Sequence, residues 1–375
     1  MLRKISIVEL GDILAQHKLW LDTNKAQGKC ADLSNTSLNG VDLSKVDLSY
    51  ANLENAHLQR ATLKGAKLNN AYLFRANLSK ANLEDAVLKN ADLTNAILND
   101  ANLSNTNLTG VDLTEARLVC AMLTKALLKD TNLDSAWLQD SDLREAIIVR
   151  TRFDDAHILN AHLERAHIYS STFYQADLSY ARLNDATIIE ASMSDAKLRF
   201  SELNRATIKS TAIIDANLQS AQLRNATLEY VNLSQADLRF AHLEDASLSR
   251  VTLEYSNLED THLSENEECR RGLILKEDMI GYKKCLDNRI VKLCIPKGAV
   301  VFSINNYKCR TNIAKVLEIT NLAGKVCRVA YSCYEPDFKY KVGEIVEVDD
   351  FALRYNLECA SGIHFFRTKE EAIDY

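Results

Sequence analysis

No stretch of this chain reaches the roughly 18 consecutive apolar residues that a transmembrane helix requires. The opening Met1-Leu2-Arg3-Lys4-Ile5-Ser6-Ile7 runs into Glu9, Asp12 and His17, so it also lacks the apolar core of a signal peptide. A membrane-spanning protein is not expected, and a cytoplasmic one is. A surplus of positive charge is missing as well: 45 Lys and Arg stand against 51 Asp and Glu, with a formal net charge of -6 and a pI near 5.8. Direct binding to nucleic acid or to an anionic membrane is therefore not expected, because both partners demand excess Lys and Arg. No P-loop, GxGxxG, HExxH or GxSxG string occurs. The nine cysteines contain no CxxC pair, and their scattered spacing fits thiols kept reduced. No catalytic residue, no cofactor and no metal is expected from these patterns.

What the chain has instead is a period. From Ala31-Asp32-Leu33-Ser34-Asn35 to Thr261-His262-Leu263-Ser264-Glu265 run 47 consecutive pentads without insertion or slip. The third position is always Leu, Ile, Phe or Met, and the first is always Ala, Ser, Thr or Val. The other three positions are mostly polar. A period of five matches neither the 3.6 of a helix nor the 2 of an ordinary strand. It works if each pentad forms one side of a square coil, with the large third residue and the small first residue both directed at the axis. Backbone hydrogen bonds then go to the coils above and below, at the strand spacing of about 4.8 Å.

The A(D/N)LXX pattern, as in Ala51-Asn52-Leu53-Glu54-Asn55 and Ala101-Asn102-Leu103-Ser104-Asn105, resembles the pentapeptide-repeat family. The resemblance implies a right-handed quadrilateral β-helix with four pentads per coil. The expected fold is thus mainly β: a solenoid of about 12 coils over 31–265, an N-terminal helical cap over 1–30 and a small β-rich α+β domain over 266–375. Ser6 to Leu21 reads as an amphipathic capping helix, with Ser6 and Glu9 at capping-box spacing and Ile7, Leu10, Ile13 and Leu14 on its apolar side. In the last domain Arg289–Cys294, Ala299–Ile304, Ile313–Ile319, Val326–Tyr331 and Val342–Val348 read as strands, and Thr368–Tyr375 as a short helix. Its segments Gly281-Tyr282-Lys283-Lys284-Cys285, Lys308-Cys309-Arg310 and Glu358-Cys359-Ala360-Ser361-Gly362-Ile363-His364-Phe365-Phe366 resemble an uncharacterised domain that follows such repeats in bacterial and phage proteins.

Sorting the outward positions with a 20-residue period gives four sides. The side starting at residue 31 carries eleven acids against two bases, Arg75 and Arg152. Its core is Asp92, Asp112, Glu115, Asp134, Asp154, Asp155, Asp195 and Asp215, a candidate partner-binding stripe. Family members that protect DNA gyrase are thought to imitate duplex DNA, so the resemblance implies topoisomerase inhibition or protection as one alternative. A solvated polar side is the competing reading. The fourth side, starting at residue 46, places Leu127, Ile147, Val149, Tyr169 and Ile189 outward over consecutive coils, flanked by Lys129 and Lys209. Such a contiguous apolar patch usually marks a contact surface, and ordinary β-branched filling of a sheet surface is the competing reading. A homodimer, the C-terminal domain and a protein partner of unknown identity are the candidates for it. Cys285, Cys309, Cys359 and His364 have the chemistry of zinc ligands without the spacing, so buried thiols are expected there. His57, His157, His162, His167 and His242 fall on outward positions, where a solvated ring is expected. The leading expectation is a non-enzymatic interaction scaffold. Metal binding or enzymatic activity in the C-terminal domain is a further alternative.

Overall fold

The computed structural model describes residues 2–253, 255–263, 277–299, 301–304, 308–333, 335, 337–348 and 362–374. It divides into two compact units, Met1–Thr252 with Asp260–His262, and Leu253–Glu259 with Leu263–Tyr375.

The first unit is the β-solenoid. Its backbone pairs in parallel at a constant offset of 20 residues: Asp32 with Asn52, Asn52 with Tyr72, Tyr72 with Asp92, and so on to Asn232 with Thr252. Four pentads therefore make one coil. Leu33 N–H donates to Asn52 O at 2.8 Å, and Asn35 N–H donates to Glu54 O at 2.8 Å. Third-position side chains are buried on the axis, with Ala packed between them and Phe153 stacked on Phe173 at 4.7 Å.

The fifth position turns the corner. All 46 fifth residues from Asn35 to Asp260 have φ between +47° and +70°. That left-handed conformation tolerates Gly, Asn and Asp and strains β-branched residues most. The sequence complies: Val, Ile, Thr and Pro never occupy the fifth position. In most pentads a tight turn follows, in which the next first residue donates its N–H to the third-position carbonyl, as from Ala51 to Leu48 at 3.0 Å.

The fourth side departs from this halfway along. Up to residue 111 it keeps the tight turn, with Val111 N–H on Leu108 O at 3.2 Å. From residue 127 onward Leu127–Lys129, Ile147–Val149, His167–Tyr169, Thr187–Ile189, Thr207–Lys209, Thr227–Glu229 and Ser247–Ser249 form a seven-stranded parallel sheet in register. Hydroxyls at the following corner take up carbonyls there. Thr151 Oγ1 donates to Leu128 O at 2.5 Å, Ser171 Oγ to Tyr169 O at 2.8 Å, and Thr211 Oγ1 to Lys209 O at 2.8 Å.

A helix over Ile7–Asp22 stands at the N-terminal end, and Ser6 Oγ accepts from Glu9 N–H at 3.1 Å. Arg3–Lys4 adds a short parallel strand to Thr36–Ser37, which occupies the edge of the first coil. The helix face differs from the expected one. Ile7 is 77% exposed, while Leu10 and His17 are buried. The reason is a specific polar contact: His17 Nδ1 accepts the N–H of Ala31 at 3.1 Å, so the imidazole caps the first coil. Gly28, at φ +75°, has no room for a Cβ, which would stand 2.2 Å from Gln16 O.

The second unit holds a seven-stranded sheet in the order Val301–Ile304, Lys308–Thr311, Ile363–Phe366, Met279–Cys285, Arg289–Ile295, Ile313–Asn321, Ile345–Glu347, with antiparallel neighbours. Val291, Leu293, Ile295, Val316, Ile319 and Phe365 form its core. Gly281 is required because the Phe365 ring lies where its Cβ would be, at 2.3 Å. Thr368 caps the Lys369–Asp374 helix: its Oγ1 accepts from Glu371 N–H at 3.2 Å, and Glu371 Oε2 accepts from Thr368 N–H at 3.1 Å. The expected strand over Val326–Tyr331 shortens to Val329–Tyr331 and that over Val342–Val348 to Ile345–Glu347. Met279–Cys285, Lys308–Thr311 and Lys339–Lys341 are strands that β-propensity alone did not predict, because Lys, Arg, Gly and Cys dilute their apolar pattern, and Ile363–Phe366 is a fourth, too short to stand out.

Candidate functional site

The acidic stripe is contiguous over part of its length. Asp92 and Asp112 are paired neighbours one coil apart, and Asp134, Asp154 and Asp155 follow with Arg152 among them. These carboxylates also serve the backbone. Asp92 Oδ1 accepts from Thr94 N–H and Asp112 Oδ1 from Thr114 N–H, both at 2.9 Å, while Asp134 Oδ1 accepts from Asp154 N–H at 3.1 Å. Burial, with the like charges of Asp154 and Asp155 added, holds the Asp134 carboxyl above the usual aspartate range despite the Arg152 guanidinium beside it. Asp195 and Asp215 stand on the corner farther along, after a coil that offers Thr172, Tyr174 and Gln175. The stripe thus gathers Asp92, Asp112, Glu115, Asp134, Asp154 and Asp155 and leaves the last two apart; Glu254 lies outside the described residues. On other sides acids meet bases one coil away, as Asp130 meets Arg150 and Asp185 meets Arg205, both at 2.7 Å.

At the N-terminal end of the stripe, on the same side, lies an open groove that the sequence reading missed, lined by Tyr50, Asn52, Glu54, Tyr72, Phe74 and Asp92. Tyr72 is 58% exposed. Its signal was local: Tyr72 and Phe74 break the polar rule within one pentad, and Tyr50 stands 22 residues before Tyr72. Cations already lie on two of these rings, Lys25 Nζ at 4.5 Å from Tyr50 and the Arg75 guanidinium at 4.8 Å from Phe74.

The apolar patch sits on the seven-stranded sheet. Leu127 pairs directly with Ile147, and Val149, Tyr169 and Ile189 are successive neighbours in the same register. Ile147 is 44% exposed, and the other four are half-buried against one another. Lys129 and Lys209 close the two ends, the latter paired with Glu229 at 2.8 Å.

Cys285 and Cys309 are buried in the second unit's core, His364 is half-buried, and Cys359 lies outside the described residues. Burial pushes the Cys285 thiol up to about 12, which suits an inert structural thiol. Among the described residues, the side chains that do gather at metal-ligand spacing are His242, Glu244 and His262. His242 is therefore no freely solvated ring: it stacks on His262 at 4.4 Å and its Nδ1 lies 3.0 Å from Glu244 Oε1. Burial raises the Glu244 carboxyl, but the His242 ring and the Arg224 guanidinium together carry it below the usual glutamate range. Pairing residues 20 apart would have brought His242 and His262 together from sequence.

No helix among the described residues is long and apolar enough to cross a membrane. Comparison with known proteins gives two family matches. Residues 268–372 match a family of unknown function, DUF5758, and residues 29–144 and 166–264 match pentapeptide repeats in overlapping segments. An uncharacterised protein of Acanthamoeba polyphaga mimivirus, L223, is 42% identical over 98 residues, 23% of this chain and 61% of the relative. The chain therefore spans about three fifths of that relative's length. Among solved structures, HetL, a pentapeptide repeat protein from the cyanobacterium Nostoc sp. strain PCC 7120, is 27% identical over 70% of this chain and 99% of its own, with a TM-score of 0.35. Full-length QnrB1, a plasmid-mediated fluoroquinolone resistance protein, is 14% identical over 63% of this chain and 92% of its own, with a TM-score of 0.24. With the repeat model covering more than half of its residues and the coils following at 20-residue intervals, the chain belongs to the pentapeptide-repeat family.

Proposed function

We propose that this protein is a non-enzymatic interaction scaffold of the cytoplasm whose solenoid offers a rigid surface to a protein partner. The observation that carries this reading is the apolar patch on the seven-stranded sheet. Leu127, Ile147, Val149, Tyr169 and Ile189 are fixed by a backbone ladder on both sides, so docking on them costs little conformational entropy. A second copy of the chain is the simplest occupant, because a self-complementary patch builds a twofold dimer. The decisive experiment is light scattering on the purified full chain beside Leu127→Asp with Ile147→Asp. A dimer that becomes a monomer supports the reading, as does a captured partner lost in the double variant. Unchanged mass and unchanged partners remove it.

A second reading rests on the acidic stripe with its aromatic groove. Six gathered carboxylates beside Tyr50, Tyr72 and Phe74 suit a basic protein surface, including a groove that ordinarily takes DNA, such as that of a type II topoisomerase. Against close duplex mimicry, duplex DNA carries one charge per roughly 1.7 Å of axis. The stripe is several times sparser and is interrupted by Arg152. Asp112, Asp134 and Asp154 changed to Lys abolish any effect on gyrase supercoiling under this reading; an effect that survives the triple change sinks it.

A further inference from the structure

We propose that His242, Glu244 and His262 form a binding site for a divalent transition-metal ion, zinc by preference, that clips two consecutive coils together near the C-terminal end of the repeat. Two imidazoles and one carboxylate are a zinc donor set that leaves a fourth position open. The fold brings them together for a simple reason. His242 and His262 hold the second position of the same side one coil apart, and Glu244 lies in the turn just past the His242–Leu243 strand, so all three reach one surface. One donor atom from each lies within 4.8 Å of the others. His242 Nδ1 and Glu244 Oε1 are already 3.0 Å apart, against about 3.3 Å for neighbouring ligand atoms around a tetrahedral zinc. The remaining closure falls to His262, whose ring is exposed and stacked on that of His242 at 4.4 Å.

The polar contacts at this point compete for one ring nitrogen, and the Arg224 guanidinium, whose Nη2 also donates to Glu244 Oε1 at 3.4 Å, holds the place a metal ion would take. Arg224 Nη2 lies 2.8 Å and Glu244 Oε1 3.0 Å from the same His242 nitrogen. The guanidinium needs that nitrogen as an acceptor and the carboxylate needs it as a donor, so neither tautomer satisfies both. Glu244 Oε2 is buried and makes no hydrogen bond, although Arg224 Nε stands 3.3 Å away. A metal ion on Nδ1 takes the ring lone pair and the carboxylate together. Arg224 is the competing cation and moves to solvent when the metal binds.

The chain contains its own control. His162 and Glu164 repeat the arrangement at 3.4 Å, and Glu164 Oε2 is likewise buried without a hydrogen bond. One coil on from His162 stands Arg182 where a second imidazole would be needed, and Asp142 one coil back is held by Arg144 at 2.6 Å, so no third donor gathers with that pair among the described residues.

The test is a zinc competition titration of the full chain against a chromogenic chelator, read beside thermal unfolding. Wild type binds one zinc that His262→Ala and Glu244→Gln each weaken by more than about tenfold, the lower end of what losing even an outer partner costs. Zinc raises the melting temperature of wild type and not of His262→Ala, because the ion stabilises only the folded coils. Arg224→Ala tightens binding and His162→Ala leaves it unchanged. Equal zinc stoichiometry and affinity in wild type and His262→Ala overturn the proposal, since the ion then sits on other groups such as the cysteines. A loss in His162→Ala as large as that in His262→Ala overturns it equally.

Discussion

Along the fourth side of the solenoid one five-residue rule builds two different surfaces. Before residue 111 the side carries Asp47, Lys67, Val87 and Asn107 over tight turns. From residue 127 it carries Leu127, Ile147, His167 and Thr187 over a regular parallel sheet. Leu occupies the axis in the first stretch, and Ile enters it at 148, 168, 188 and 208 in the second. β-branched side chains favour extended backbone, and corner hydroxyls such as Thr151 and Ser171 accommodate the wider turn. The five-residue period therefore fixes the coil, while inward β-branching and the corner hydroxyls select the surface it shows.

Substitutions on the axis carry the largest effect in both stretches. Leu68→Asp in the tight stretch and Ile148→Asp in the sheet each bury an unpaired carboxylate, and each should cost about 4 kcal/mol or more in denaturant unfolding. A much smaller cost in one stretch would show that the two cores differ. Corners come next. Asn70, at φ +55°, and Ser210, at φ +49°, should both lose about 1–2 kcal/mol on change to Val, with Gly tolerated at either. Hydroxyls sharpen the contrast further. Thr151→Val removes the bond to Leu128 O and should cost about 1 kcal/mol, whereas Ser141→Ala, on a buried hydroxyl without a partner, should gain about as much.

The smallest expected effect concerns the capped end. Burial holds the His17 ring below its ordinary pKa of 6.5, outweighing the pull of Asp47, and the ring must be neutral to accept the Ala31 N–H. A depressed histidine pKa means that the unfolded chain binds more protons, so stability falls as pH drops below about 6.5 and levels off below the folded value. Trp20 fluorescence, in a Trp137→Phe background, reports this loosening, and His17→Gln should flatten the profile.

Much of the fold was legible because the period is rigid. Forty-seven pentads in register, each with a large and a small inward residue, allow the backbone one closed arrangement, and the 20-residue offset followed from four sides per coil. The second unit was less legible. Its strands over Met279–Cys285 and Lys308–Thr311 alternate too weakly to read, and only pairing with Arg289–Ile295 and Ile363–Phe366 makes them strands. Candidate surfaces divided likewise: the apolar patch and the acidic stripe were visible by counting, while the aromatic groove and the His242, Glu244 and His262 cluster depend on neighbours one coil apart.

The sequence by itself determined the coil, its axis, its corners and the capping helix, because steric fit and burial act on every pentad alike. Tertiary structure alone decided where the tight turns yield to a sheet, that His17 and not Ile7 closes the first coil, and how closely the side chains of neighbouring coils approach. Those outcomes turn on single hydrogen bonds and on side-chain geometry between coils, which no local pattern encodes.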